Sequence, residues 1–314
     1  MQNHLLSRRL TAAVLTACMV LTAGAAYAGQ VVTDELRQWA REAVARENTL
    51  STQPAPNTVG ILYFDNRTGR SELDPLQKGL SLMLITDLAK IDTIQVVERV
   101  KLQALVDELK LGATGLVDPA TAPRLGRLLG AAFLLGGQLQ PDGKAGIHID
   151  ADLLRVVQRD TLGRPTSSGP FEELLRMEKE ILFETVRLLR LKLSPKQIED
   201  LKKPLTGNLD ALMAWFRGIG FSDRQEYTQA AASYQKAVQA DPGFKLPAAA
   251  LAELRQLKLI PVRPVTGDLL QRLHERVSVN TGPVPNQIVR RERSSAASVQ
   301  GPATQTTDVN VQWR

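Results

Sequence analysis

Three groups of residues in this 314-residue chain are of types and spacings that could do chemistry. His148, Asp150 and Asp152 fall at alternate positions. On a strand they share one face, and a His-Asp-Asp row is a metal-ligand set by type. Alternate strand residues lie about 7 Å apart, however. That is too spread for one ion without ligands from elsewhere, so the row reads as a solvated sheet face. The segment Asp65-Asn66-Arg67-Thr68-Gly69-Arg70 follows an apolar strand, at the usual ligand edge of a parallel sheet. Its arginines could hold an anion. It lacks the glycine spacing of a phosphate loop, so Asn66, Arg67 and Arg70 are read as protein-contact residues. Glu98-Arg99 stands where a strand meets a helix. It is either a partner-reading pair or a helix-start and surface ion pair. No Ser-His-Asp or Cys-His set assembles, and neither a cofactor nor a metal is expected.

The elements that must position these residues follow from periodicity. A short helical pattern covers 34–47, and 51–57, with Pro54 and Pro56, is an extended lead-in. From Thr58 the run TVGILYFDN is apolar at successive positions, Val59, Ile61 and Tyr63 on one face and Leu62 and Phe64 on the other. This suits an inner strand of a sheet covered by helices. Asp74-Pro75 is an N-cap followed by a first-turn proline, opening a helix with Leu76, Leu80, Met83, Leu84 and Leu88 buried. A strand over 93–97, a helix carrying Leu102, Leu105, Val106 and Leu109, a helix from Asp118-Pro119 and a strand over 131–139 follow. The pattern predicts parallel crossovers. Pro141-Asp142-Gly143 reverses the chain into an antiparallel strand around Ile147, Ile149, Ala151 and Leu153. A short last strand is expected near 161–165, and a long amphipathic helix over 171–191.

Gly218, Tyr227, Ala230, Tyr234, Ala237 and Pro242 then stand at the spacings of a tetratricopeptide repeat, a pair of antiparallel helices. One repeat cannot bury its own apolar face, and the helix over 171–191 is the expected support. By the repeat's register Leu212, Trp215, Ile219, Ser222 and Asp223 would line a concave partner surface. The other reading of Trp215 is core packing on the sheet. A helix over 247–257 would cap the unit. A helix is expected over 268–277, a disordered stretch over 278–307, and Val309, Val311 and Trp313 form either an edge-pairing strand or a frayed end.

The first 28 residues read as an export signal. Arg8 and Arg9 start it, 10–24 is its apolar middle, and Ala26-Tyr27-Ala28 precedes the cut. A rival reading takes Leu15-Thr16-Ala17-Cys18 as a lipobox with Cys18 acylated. Cys18 is the single cysteine, so no disulfide framework is available. The formal charge of +6 is mild. Basic residues alternate with acids and do not cluster with aromatics, so nucleic acid is not an expected partner.

Val59-Gly60-Ile61-Leu62-Tyr63-Phe64-Asp65-Asn66, Val97-Glu98-Arg99, Gly115-Leu116-Val117-Asp118 and Leu125-Gly126 through Leu129-Gly130-Ala131 to Gly136-Gly137 resemble the CsgG-like family. That family is close to the amino-terminal domain of TolB and to LpoB-type penicillin-binding-protein activators. The resemblance runs over 58–168, and Leu193-Ser194-Pro195 and Thr206-Gly207-Asn208 are similar to its longer members. It implies an α/β domain with a mixed sheet covered by helices over 58–192. A small all-α tetratricopeptide-like unit over 193–258 and a mostly disordered tail over 259–314 complete the expected plan. It also implies a periplasmic, non-catalytic adaptor or assembly factor of an envelope or secretion complex. Its partners would be other envelope proteins, with homo-oligomers possible and membrane attachment peripheral or through lipid at most.

CsgG itself forms a pore from two long hairpins, which would add roughly forty residues to this domain. The short turns at 140–144 and 158–160 leave no room for them, so the fold and compartment carry over and the channel does not. The rival readings are a lipidated outer-membrane component forming rings, a ligand-sensing periplasmic module, and an enzyme with a cleft built from scattered residues.

Overall fold

The computed structural model describes residues 30–49, 54–112, 116, 121–143 and 145–261. The signal segment with Cys18, most of the 113–120 linker and the whole of 262–314 lie outside the described residues, with the readings that fall on them.

Six strands form one mixed sheet in the order β2-β1-β3-β4-β5, with β6 also paired to β4. β1 (Thr58–Asn66) lies parallel to β2 (Gln95–Val96) on one side and to β3 (Phe133–Asp142) on the other. β4 (Gly146–Arg155) returns antiparallel to β3, and β5 (Asp160–Gly163) and β6 (Thr166–Pro170) both pair antiparallel to β4. The class is the expected mixed α/β. The expected strand over 93–97 shrinks to two paired residues, and the single strand near 161–165 is two strands broken at Arg164-Pro165. Proline has no N–H for a sheet ladder.

Helices cover both faces. α1 (Asp34–Ala45), α3 (Arg99–Glu108) and α4 (Ala122–Leu129) enclose one apolar cluster with Leu62, Tyr63 and Leu134. α2 (Leu76–Leu88) and α5 (Leu174–Leu188) lie on the other face, over Val59, Ile61, Phe64, Leu135 and the inward row Ile147, Ile149, Ala151 and Leu153. Tyr63 is thus on the opposite face from Val59 and Ile61, against the simple alternation. The β1–β3 register shifts between Ile61 and Phe64. A bulge of this kind moves every later side chain to the other side of the sheet.

α6 (Pro195–Lys202) is a short helix held by a reciprocal capping box between Ser194 and Gln197. α7 (Leu209–Asp223), α8 (Tyr227–Ala240) and α9 (Lys245–Gln256) follow. A Cβ on Gly218 would come within 2.3 Å of the Tyr234 ring, so glycine there lets α7 and α8 approach closely. The apolar cluster of α2 and α5 runs on without a break into Leu212, Trp215, Phe216, Phe244 and Leu254. The main support of α7 is α2, not the long helix α5 that the sequence pointed to. Gly79 explains this. A Cβ there would lie 2.3 Å from the Phe216 ring, so the missing side chain makes the slot that Phe216 fills. Among the described residues no helix is long and apolar enough to cross a membrane.

Candidate functional site

A cleft of about 290 Å³ opens between the start of α2 and the outer side of α7. Asp74, Pro75, Gln77 and Lys78 form one wall, and Phe216, Arg217, Gly220, Phe221 and Arg224 form the other. Phe216 is buried and gives the cleft an apolar floor. The Arg224 guanidinium sits 5.0 Å from the centre of the Phe221 ring and donates from Nε to Glu226 at 2.7 Å. Arg217 is exposed and makes no hydrogen bond or ion pair with any described residue.

The loop after β1 is tied to the rim of this cleft. Asn66 Nδ2 donates to Asp74 Oδ1 at 2.7 Å and to the Arg70 carbonyl at 3.0 Å. Thr68 turns the loop by donating from both N–H and O–H to Asn66 Oδ1. Asp74 therefore does not cap α2 as the sequence predicts. A 3-10 turn over Ser71–Leu73 leads in, Pro75 is the cap residue, and the Asp74 carboxylate serves the loop and the Gln77 side chain instead. Arg70 is anchored, with Nη1 donating to the Ala145 carbonyl at 3.0 Å and Nε to Glu72 at 2.8 Å. Arg67 pairs with Asp65 at 2.8 Å, and its side chain is 59% exposed.

A buried ion pair fixes the two walls relative to each other. Arg99, 1% exposed, donates from Nη1 to both carboxylate oxygens of Asp223 at 3.0 Å. Its Nη2 donates to the Gln30 carbonyl at 2.7 Å. Lys78 Nζ donates to Asp223 Oδ2 at 2.6 Å and to Gln103 Oε1 at 2.8 Å, where the Tyr63 hydroxyl also donates at 2.8 Å. Arg99 opens α3 and Asp223 closes α7. Each charge stands at the helix end where the macrodipole opposes it, so their mutual pairing carries the compensation. Burial penalises the Arg99 charge, but Asp223 and then Tyr63 outweigh the penalty and hold its pKa above the ordinary value. Burial pushes the Tyr63 phenol up, so it remains a neutral donor. The strap of residues before α1 joins this group to α9, because Glu253 accepts from the backbone N–H of Gln30 and Val31 at 2.7 and 3.2 Å.

The repeat register had placed Leu212, Trp215, Ile219, Ser222 and Asp223 on an open surface. The structure corrects that exposure. Leu212 and Trp215 are 0% exposed, Ile219 and Ser222 are buried, and the Asp223 carboxylate is inside the ion pair. Trp215 packs against Phe216 and edge-on against Phe244, 5.1 Å between ring centres. The helical unit uses that face for its own core, and the outer residues Arg217, Gly220, Phe221 and Arg224 are left to solvent. Sequence reasoning missed these four. The signal available was Arg217, a cation two residues after Trp215 on the same helix.

The His148 row holds no metal-ligand arrangement. His148 Nδ1 lies 2.6 Å from Ser168 Oγ, Asp150 accepts from Gln138 at 3.2 Å, and Asp152 accepts from Arg164 at 2.9 Å. His148 and Asp150 are thus paired with cross-strand neighbours, and Asp152 with Arg164 at the break between β5 and β6. Among the described residues no group of His, Cys, Asp and Glu could hold a metal ion.

A second buried charge group lies at the far end of α2. Asp87 is fully buried and accepts from Lys90 at 2.5 Å and from Lys179 of α5. Glu178 is also fully buried. Its Oε2 is 3.1 Å from Lys179 Nζ, but neither of its oxygens finds hydrogen-bond geometry. Burial, reinforced by the Asp87 charge and opposed by Lys179, pushes Glu178 up to about 8.

Residues 42–140 match the family model of the curli production assembly/transport component CsgG. This bears out the resemblance over the first part of the α/β domain. Among solved structures, the chain is similar to the C-terminal domain of LpoB from Salmonella enterica, at 16% identity over 43% of this chain and 98% of that one, TM-score 0.32. It is also similar to a lipoprotein of Neisseria meningitidis, at 14% identity over 44% of this chain and all of that one, TM-score 0.33. A search of curated proteins finds no match.

Proposed function

We propose that this chain is a non-catalytic accessory protein of a bacterial cell envelope, exported and periplasmic, acting as an adaptor or assembly factor. It works by shape. The α/β domain holds the loop after β1, the helical unit holds α7, and the cleft between them is the surface offered to a partner protein. The match of residues 42–140 to an assembly/transport component supports the class of role. The observation that carries the site is the convergence of two distant segments, 74–78 and 216–224, on one open cleft, behind which Asp223 at the end of α7 pairs with Lys78 of the opposite wall and with the buried Arg99.

Gly220 gives the test. A Cβ added there meets nothing closer than an Arg224 nitrogen at 3.7 Å, so a large side chain can enter the cleft without disturbing the core. Gly220→Trp is expected to melt like the wild type and to lose most of the partner captured by affinity purification from cross-linked envelopes. Full capture by a folded Gly220→Trp protein would remove the cleft from the account.

A further inference from the structure

Building on the proposed cleft, we infer that its occupant is an acidic segment of a partner protein, presenting carboxylates beside an apolar or aromatic side chain. The lining charges are Lys78, Arg217 and Arg224 against Asp74. Asp74 keeps its charge while accepting from the neutral amides of Asn66 and Gln77, so the lining sets three cations against one anion. Lys78 is held back by Asp223 and Gln103. Arg224 is stacked on Phe221 and tethered to Glu226. Arg217 alone of the three is exposed and unengaged among the described residues.

A guanidinium free at a rim, above an apolar floor, matches a carboxylate that arrives with an apolar neighbour. The carboxylate can take the planar donor fork of Arg217, and the apolar group can cover the half-buried Phe221. Burying that ring supplies affinity, and the charge sets specificity and on-rate. A basic segment would meet three cations against the single Asp74 carboxylate.

The test uses a labelled seven-residue peptide of alternating glutamate and leucine with one central phenylalanine, and its counterpart with lysine for glutamate. Fluorescence anisotropy with the wild-type protein should show saturable binding of the acidic peptide, weakened as salt is raised, and none of the lysine peptide. Arg217→Glu, an exposed position that leaves the fold intact, should raise the Kd at least about tenfold, and Gly220→Trp should abolish binding. Equal binding of both peptides, or an unchanged Kd in Arg217→Glu, would overturn the inference. So would failure of the acidic peptide to bind at all. If envelope capture still depends on Gly220 in that case, the cleft stands and its occupant has another chemistry. If capture is also indifferent to Gly220, both readings fall.

Discussion

Helix α2 carries a buried charge group near each end, and the two are built differently. At its start, Lys78 and Arg99 share the Asp223 carboxylate, and Gln103 and Tyr63 supply neutral donors and acceptors around them. At its end, Lys90 and Lys179 both serve the buried Asp87, and the buried Glu178 beside them is left with neither oxygen hydrogen-bonded. In the first group two cations share one carboxylate, and each of the three charged side chains has a hydrogen-bond partner. The second has one acid more than its geometry can serve, and burial resolves the excess by raising the proton affinity of Glu178. Burial alone therefore does not decide whether a charge cluster is a fixed joint or a pH-sensitive one. The number of well-placed partners does.

The sharpest way to break this contrast is Asp223→Ala. It strands Arg99 in the interior, and removing one partner of a buried pair costs about 3–5 kcal/mol. Urea denaturation should show that loss, together with earlier hydrogen exchange in α7. The double change Arg99→Met with Asp223→Leu should recover part of the stability, because it removes both fully buried charges and leaves Lys78, 25% exposed, to Gln103 and solvent. A single substitution that costs nothing would mean that the pair is not the joint.

Gly79→Ala is expected to be next in size. The new methyl would press on the Phe216 ring, and overpacking of this kind costs about 1–3 kcal/mol, partly offset by the roughly 1 kcal/mol helix gain of alanine over glycine. Calorimetry should show a lower melting temperature for this variant, whereas the same exchange at Gly69, where a Cβ meets nothing but φ is positive, tests backbone strain alone.

Glu178→Gln is expected to change stability least at neutral pH and the pH profile most. Above the ordinary carboxylate range the unfolded chain has released the proton that native Glu178 still holds. Native binding of the extra proton makes stability fall as pH rises, until the native group ionises near 8. The wild type should lose melting temperature between about pH 6 and pH 8.5, and Glu178→Gln should lose less. Parallel profiles would place the slope elsewhere.

Local patterns in the sequence carried much of the fold. Alternation in 147–153 identified β4 and its inward row, and the small-then-aromatic spacing of Gly218 and Tyr234 identified a close helix pair. Less could be read wherever a single residue reset the geometry. The bulge in β1 moved Tyr63 to the face of Gln103 and Arg99, and nothing in TVGILYFDN marks it. Glu98-Arg99 was recognised as a pair of interest, yet Glu98 faces Lys101 at 3.6 Å. The partner of Arg99 lies 124 residues away, beyond any local pattern. Trp215 stood out as an aromatic on a helix, but the side of α7 that meets α2 is set by the slot at Gly79. The cleft was invisible for the same reason, since its walls come from segments about 140 residues apart, linked by that packing and by the Lys78–Asp223 pair.

The most direct measurement places a photo-cross-linking amino acid at position 217, with position 187 as the control, in cells carrying the full chain. Arg187 is exposed on α5, away from the cleft, and its side chain is 69% accessible. Cross-links to one envelope protein from position 217 and none from 187 are the predicted result. The same partner trapped from 187 and not from 217 would contradict the cleft as the surface through which this protein works.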